Sequence, residues 1–209
     1  MFGGSKIDRG IEAFTKQDWK RARRFLEEGL QDEDRAGGFY YLGQLYWRGL
    51  GGPAEKNAAV DCFARAADLG HVGAEVAYGI ALRSGVGVAK DDERAYALFR
   101  SAAGAGDRDA MIQLATMSDP DDARRWLLRA SELGHAPAIL NLSDMLMNRD
   151  PVEALSWLYA GVALSGDDAA RKRAKALAAE MTAAEIDTAQ KAGRVYAKDI
   201  QQRLRDGRP

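Results

Sequence analysis

The chain has 209 residues, of which 46% are hydrophobic, and its formal net charge at pH 7 is −1. This composition is sufficient for a buried core, and a nearly neutral chain gives no electrostatic reason to expect binding to nucleic acid or to a membrane surface. The single cysteine, Cys62, excludes an intrachain disulfide and favours a reducing compartment.

The N-terminal sequence does not indicate a targeting segment. The chain begins Met1-Phe2-Gly3-Gly4, and no apolar run of about 7–15 residues follows, as a secretory signal peptide would require. No stretch approaches the ~20 apolar residues of a transmembrane helix. We therefore expect a soluble, cytoplasmic protein that does not bind membranes.

An internal repeat organises the chain. Residues 36–71 align with residues 72–107 without a gap, and shortened copies follow at 108–135 and 136–166, with a weaker unit at 5–35. The aligned pairs include Gly43 with Gly79, Gly49 with Gly85, Gly51 with Gly87, Phe63 with Phe99, Ala66 with Ala102, and Gly70 with Gly106. The repetition predicts one all-α domain over residues 1–209, an α-α superhelix of stacked helix-turn-helix units.

Each unit contains two predicted helices. The first helices cover residues 38–48 and 73–83, and a glycine-rich loop follows each of them. The second helices end at Gly70, Gly106 or Gly134, because glycine adopts the left-handed conformation of a helix C-terminus without steric strain. Asp119-Pro120 and Asp150-Pro151 predict helix starts, and both Asp150 with Glu153 and Thr182 with Glu185 have capping-box spacing. The second helices share two apolar columns: Phe25, Cys62, Leu98, Trp126 and Trp157, then Leu26, Phe63, Phe99, Leu127 and Leu158.

The repeat motif resembles that of a known family. The run Leu42-Gly43-x-x-Tyr46-x-x-Gly49-x-Gly51, continued by Ala59-x-x-x-Phe63-x-x-Ala66-Ala67-x-x-Gly70-His71, resembles the Sel-one-like repeat (SLR), a relative of the tetratricopeptide repeat. The ending, residues 166–186, is similar to that of many bacterial members. The resemblance implies a right-handed solenoid that serves as an adaptor or scaffold for protein partners, and it implies no reaction. The units at 108–135 and 136–166 depart from the pattern because they lack the Gly-x-Gly loop.

Residue patterns associated with catalysis or metal binding are weak. Lys90 is followed by Asp91, so the loop at 85–90 is not a phosphate-binding loop. His71 and His135 share one repeat position, which favours a structural role at terminal helix carbonyls over a metal site. Cys62 lies in an apolar column and has no evident base nearby. The carboxylate runs fall where helices start, as dipole complementarity favours. We expect no enzymatic activity, cofactor or metal.

Two alternatives to protein binding stay open. Basic clusters at residues 20–24 and 171–175 could contact nucleic acid, although solvated helix faces explain them more simply. The solenoid could also serve as the substrate platform of a non-classical enzyme.

Partner-binding residues are predicted by analogy with tetratricopeptide solenoids, whose first helices line the concave face. Leu42, Tyr78, Leu114 and Leu142 are taken as equivalent core positions, so residues two before, two after, and five or six after each should face the groove. These positions are Tyr40, Gln44, Trp47, Arg48, Val76, Ile80, Arg83, Ile112, Thr116, Leu140, Asp144 and Met147. We expect an adaptor or stoichiometric regulator that binds a helix or extended segment there. Alternatively, some of these side chains pack between helices or under the C-terminal segment.

The C-terminal helices, residues 168–204, are expected to cap the stack. In the last of them, from residue 183, the spacing of Ile186, Ala189, Gly193, Tyr196 and Ile200 makes an apolar stripe.

Overall fold

The computed structural model describes residues 5–207, and these residues form α-helices and connecting loops without strands. The expectation for Met1-Phe2-Gly3-Gly4 therefore lies outside the described residues. The helices are α1 Lys6–Thr15, α2 Trp19–Gly29, α3 Ala36–Arg48, α4 Lys56–Asp68, α5 Val72–Ser84, α6 Asp92–Gly104, α7 Arg108–Met117, α8 Pro120–Glu132, α9 Ala136–Leu146, α10 Pro151–Ser165, α11 Asp168–Ala178 and α12 Ala183–Arg205. The prediction of an all-α fold is confirmed. Within residues 5–207, no helix is long and apolar enough to cross a bilayer.

The chain divides into two compact units, Met1–Asp107 and Arg108–Pro209. In the first unit α1 packs on α2, α3 on α4, and α5 on α6; in the second α7 packs on α8, and α10 packs on α9, α11 and α12. The boundary between the units coincides with a predicted repeat boundary. One domain over residues 1–209 stays a prediction.

Apolar columns on the second helices supply much of each core. Leu26, Phe63 and Phe99 are buried in the first unit, and Leu127 and Leu158 are buried in the second. The reference positions of the first helices, Leu42, Tyr78, Leu114 and Leu142, are buried as well. The small alanines of the motif are buried beside them, which allows close approach between paired helices.

The loop motif Gly-x-Gly is required by close backbone contact. Gly51 and Gly87 have φ of +76° and +77°. A Cβ added at Gly51 would lie 2.4 Å from the carbonyl oxygen of Trp19, and one added at Gly87 would lie 2.7 Å from that of Lys56. Trp19 and Lys56 begin α2 and α4. The second glycine of each loop therefore rests against the start of the preceding repeat's second helix.

The predicted caps are present. Asp119 accepts hydrogen bonds from the backbone amides of Asp121 and Asp122, and proline follows it. Thr182 and Glu185 form a reciprocal capping box at the start of α12. Asp150 accepts a hydrogen bond from the Glu153 backbone amide. The Glu153 carboxylate does not return a bond to Asp150 but accepts one of 2.8 Å from Arg124, so the prediction of a reciprocal capping box at this helix is wrong.

The apolar stripe of α12 packs against α10. Ala189, Gly193 and Ile200 are buried, whereas Ile186 and Tyr196 are half-buried. A Cβ added at Gly193 would lie 2.7 Å from the Ser156 carbonyl oxygen, which shows how closely the two backbones approach. The prediction of a final helix over residues 183–204 is confirmed, with an end at Arg205.

Candidate functional site

A groove in the first unit lies between α3 and α5, with α4 beneath it. Its volume is about 200 Å³, and its lining combines aromatic, aliphatic and polar side chains: Tyr40, Gln44, Trp47, Arg48, Phe63, Ala77 and Ile80. Most of these are residues that the sequence places on the groove face of the first helices. No carboxylate is among them, so the charged group of this lining is the Arg48 guanidinium.

The groove floor depends on a glycine in α3. Phe63 of α4 is buried, and a Cβ added at Gly43 would lie 2.6 Å from the Phe63 ring. The absent side chain at Gly43 therefore lets the Phe63 ring lie under α3. The Tyr40 and Trp47 rings are 6.3 Å and 6.2 Å from the Phe63 ring, centroid to centroid, within the range of favourable aromatic contacts.

Tyr40 is held in place by His71. The two rings stack with centroids 4.2 Å apart, and Nδ1 of His71 accepts a hydrogen bond of 3.2 Å from the Ala74 amide. Burial lowers the pKa of His71, which keeps Nδ1 available as an acceptor. The role at terminal carbonyls predicted for this imidazole is wrong, because the side chain caps the start of α5 rather than the end of α4.

His135 holds the corresponding position before α9 but makes a different contact. Its Nε2 lies 3.1 Å from an Asp109 carboxylate oxygen, and its side chain makes no cap hydrogen bond. Shared repeat position therefore does not give the two histidines a shared contact.

Trp47 is fixed from outside the groove by Lys56. The ammonium group lies 4.1 Å from the centre of the indole and donates a hydrogen bond to the Trp47 carbonyl oxygen. This cation–π contact joins the end of α3 to the start of α4 and leaves a positive charge beside the exposed Arg48. That end of the groove is therefore positively charged.

Val76 corrects the predicted groove face. It occupies the same repeat position as Tyr40, yet it is only 8% exposed and belongs to the core. Tyr40 lines the α3–α5 groove, and Val76 does not. Arg83 is half-exposed and does not line the groove, and its role in binding stays a prediction.

The predicted residues of the second unit have structural contacts of their own. Ile112 and Met147 are half-buried against one core cluster, and Leu140 against another. Asp144 accepts a hydrogen bond of 2.7 Å from Arg173, and the Thr116 hydroxyl donates to the Gln113 carbonyl oxygen. Their role in partner binding stays a prediction.

Sequence reasoning missed two lining residues of the groove. Phe63 was assigned only to the core, although it also lines the groove, and Ala77 lies one turn before Ile80 on α5. The helical spacing of Ala77 and Ile80 is a signal that could have identified the former.

The cysteine and several of the aspartates considered as chemical groups occupy buried or helix-capping positions. Burial raises the pKa of the Cys62 thiol to about 12, which disfavours the nucleophilic thiolate. Within residues 5–207, no cluster of histidine, cysteine and carboxylate side chains could hold a metal ion. Asp91 caps α6 by accepting from one backbone amide, and Asp167 caps α11 by accepting from two, as Asp119 does at α8.

Arginines of the two basic clusters, together with Arg9, include some that form ion pairs and some that do not. Arg23 binds the carboxylates of Glu27 and Glu55, and Arg173 binds Asp144. Three other guanidinium groups surround the Phe25 ring at 4.9–5.4 Å from its centre, those of Arg9, Arg21 and Arg24. In the described part of the chain, none of these three forms an ion pair.

The arrangement of repeats agrees with known proteins. The profile of the Sel1 repeat matches residues 40–71, 73–107, 109–135 and 137–164. A protective antigen of uropathogenic Escherichia coli, described as displaying an SLR fold, is similar in structure with a TM-score of 0.75 and 21% identity over 89% of this chain. The chain spans 43% of that antigen's length.

Two further solved structures are similar. A Sel1 repeat protein from Oxalobacter formigenes gives a TM-score of 0.75 at 21% identity, covering 96% of this chain and 83% of its own. An immunity protein from Pseudomonas aeruginosa gives a TM-score of 0.52 at 18% identity, and the match covers 92% of this chain and 81% of that protein. No curated protein matches the chain in sequence. The matched repeats span more than half of the residues, and the chain therefore belongs to the Sel1 repeat family, whose members have an all-α solenoid fold.

Proposed function

We propose that this protein is an adaptor or stoichiometric regulator that holds a segment of a partner protein in the α3–α5 groove, without catalysis. Sel1 repeats generally mediate protein–protein interactions. The observation that carries the proposal is the groove lining, in which Tyr40, Trp47 and Ile80 border an open groove above the buried Phe63 ring. Such apolar lining has no function in a surface that contacts only water.

The size and composition of the groove favour a short segment as the bound element. A volume of about 200 Å³ accommodates one or two side chains rather than a folded surface. Tyr and Trp are enriched among interface hot spots, where truncation often costs about 2 kcal/mol or more. The positive charge of Arg48 and Lys56 at one end favours a segment that carries a carboxylate beside its apolar anchor.

Regulation by inhibition of the partner is one form of the proposed function. One structural relative is an immunity protein, and inhibition of a toxin or a signalling enzyme would need no catalytic group. We also propose a cytoplasmic location, supported by a single cysteine whose thiol is buried.

The proposal is tested by a matched pair of substitutions in the first unit. Ile80 is 37% exposed and lines the groove, and Leu69 is 47% exposed and does not. Ile80→Asp places a charge against the apolar floor, so we expect affinity for the main partner to fall by about tenfold or more. Wild type and both variants would be compared in affinity capture from the native host, followed by titration of the recovered partner.

Leu69→Asp should retain the partner, because it changes an apolar side chain of similar exposure outside the groove. Equal capture by wild type and Ile80→Asp, with both variants folded by circular dichroism, would show that the partner binds elsewhere.

Nucleic-acid binding is a second candidate, favoured by the three unpaired guanidinium groups around Phe25. Arginine side chains beside an aromatic ring suit single-stranded nucleic acid, whose phosphates pair with the cations and whose bases stack. We expect any such binding of an oligonucleotide to weaken steeply with salt and to be lost in Arg21→Ala with Arg24→Ala. A flat dependence of the dissociation constant on salt, or binding unchanged in that double variant, would exclude this site.

A further inference from the structure

A second cavity lies within the second unit, between α8, α10 and α12. Its volume is about 420 Å³, larger than the α3–α5 groove. Trp157 and Tyr196 stack with ring centroids 4.6 Å apart and form one wall. Val195, which is 63% exposed, lies at the edge of the same cavity. The apolar surface is therefore continuous from the buried Trp157 ring through the half-buried Tyr196 ring to solvent.

A buried hydrogen-bond donor of this wall has no partner. Trp157 is only 4% exposed, and its Nε1 has no acceptor within the described part of the chain. An unsatisfied buried N–H costs about 1–3 kcal/mol and is rare in folded proteins. Trp157 also lines the cavity, so its indole resonance reports on a molecule bound there.

Carboxylates border the cavity on all three helices. Glu132 of α8, Glu153 of α10 and Asp199 of α12 belong to its lining, and no basic side chain does. Burial and the negative charges of Glu153 and Asp150 raise the pKa of Tyr196, so this negative potential extends to the aromatic wall.

Arginines of the chain approach these carboxylates from outside the lining. Arg203 lies 2.9 Å from Asp199 and 3.6 Å from Glu132, and Arg124 lies 2.8 Å from Glu153. The Arg203 side chain is nearly half-exposed, so an incoming cation can displace it. Its bridging of two carboxylates shows that their spacing suits a guanidinium group.

We propose that this cavity binds an arginine-bearing segment of a partner protein. The guanidinium group pairs with Asp199 and Glu132, and its aliphatic stem packs on Tyr196 and Val195. This chemistry is opposite in charge to that of the α3–α5 groove, so the site is distinct from the one in the proposed function and does not depend on it.

The test uses two peptides that differ in one charge. The probe is acetyl-Leu-Arg-Leu-Ala-amide, and the matched probe carries citrulline in place of arginine. Each is titrated into the ¹⁵N-labelled full chain while the indole N–H resonance of Trp157 is followed. We expect a saturable shift with the arginine peptide and binding weaker by about tenfold or more with the citrulline peptide. The resonance is assigned by its loss in Trp157→Phe, or by elimination with Trp19→Phe, Trp47→Phe and Trp126→Phe if that variant does not fold.

Three variants make the outcome specific to the cavity. Asp199→Asn should weaken binding of the arginine peptide, and Arg203→Ala should strengthen it several-fold because a competing guanidinium is removed. Asp187→Asn is the matched control, since Asp187 is an exposed carboxylate of α12 that pairs with Lys191 and does not line the cavity. An unshifted Trp157 resonance, equal binding of both peptides, or equal effects of Asp199→Asn and Asp187→Asn would overturn the proposal.

Discussion

Gly51→Ala is expected to lower the free energy of unfolding of the first unit by about 2–4 kcal/mol. Two effects add in this variant. An alanine at φ +76° is strained, and its Cβ would lie 2.4 Å from the Trp19 carbonyl oxygen, which belongs to backbone and cannot rotate away. Urea unfolding followed by circular dichroism measures the loss.

Two other glycines of the first unit separate these effects. Gly85 has φ of +68° but no atom closer than 3.5 Å to an added Cβ, so Gly85→Ala should cost only about 1–2 kcal/mol of backbone strain. Gly104 lies in α6 with nothing within 4 Å, so Gly104→Ala should be neutral or stabilising by up to about 1 kcal/mol. If Gly51→Ala were no more destabilising than Gly85→Ala, the contact with Trp19 would not explain the second loop glycine.

Ending the chain at Glu180 is expected to remove most of the stability of the second unit. This truncation deletes α12, which buries Ala189, Ala197 and Ile200 and covers Trp157 on α10. A domain of this size has only about 5–15 kcal/mol of total stability, and exposure of this surface also favours aggregation. We expect insolubility, or a fall of at least about 10 °C in the melting temperature of the second unit.

The matched control changes α12 without removing it. Val195→Lys alters a side chain that is largely exposed on the same helix, so its melting temperature should stay within about 2 °C of wild type. A soluble truncated chain with unchanged unfolding would show that α12 is an appendage rather than a structural cap.

Local features of the fold were predictable because short sequence spacings determine them. The helix pairs follow from repeated apolar spacing, and the helix ends follow from glycine and aspartate placement, as at Gly70 and Asp119. These signals act within a few residues of the position they specify. They therefore predicted the bounds of α3, α5 and α12 to within two residues of those observed.

Contacts between distant segments were not predictable in the same way. The ion pair between Asp144 and Arg173 of another helix was not foreseen, because no local pattern relates the two residues. Val76 was placed on the groove face by register alone, but it is buried. The acidic cavity of the second unit was missed because its carboxylates come from three separate helices.

Site-specific photo-crosslinking at Ile80 tests the central claim most directly. In the native host, p-benzoylphenylalanine would replace Ile80 in one strain and Leu69 in another, since both side chains are exposed but only Ile80 lines the groove. The proposed function predicts that position 80 forms an adduct with the partner recovered by affinity capture, mapped to one short segment, and that position 69 does not. Adducts with that partner from position 69 and none from position 80 would contradict binding in the α3–α5 groove.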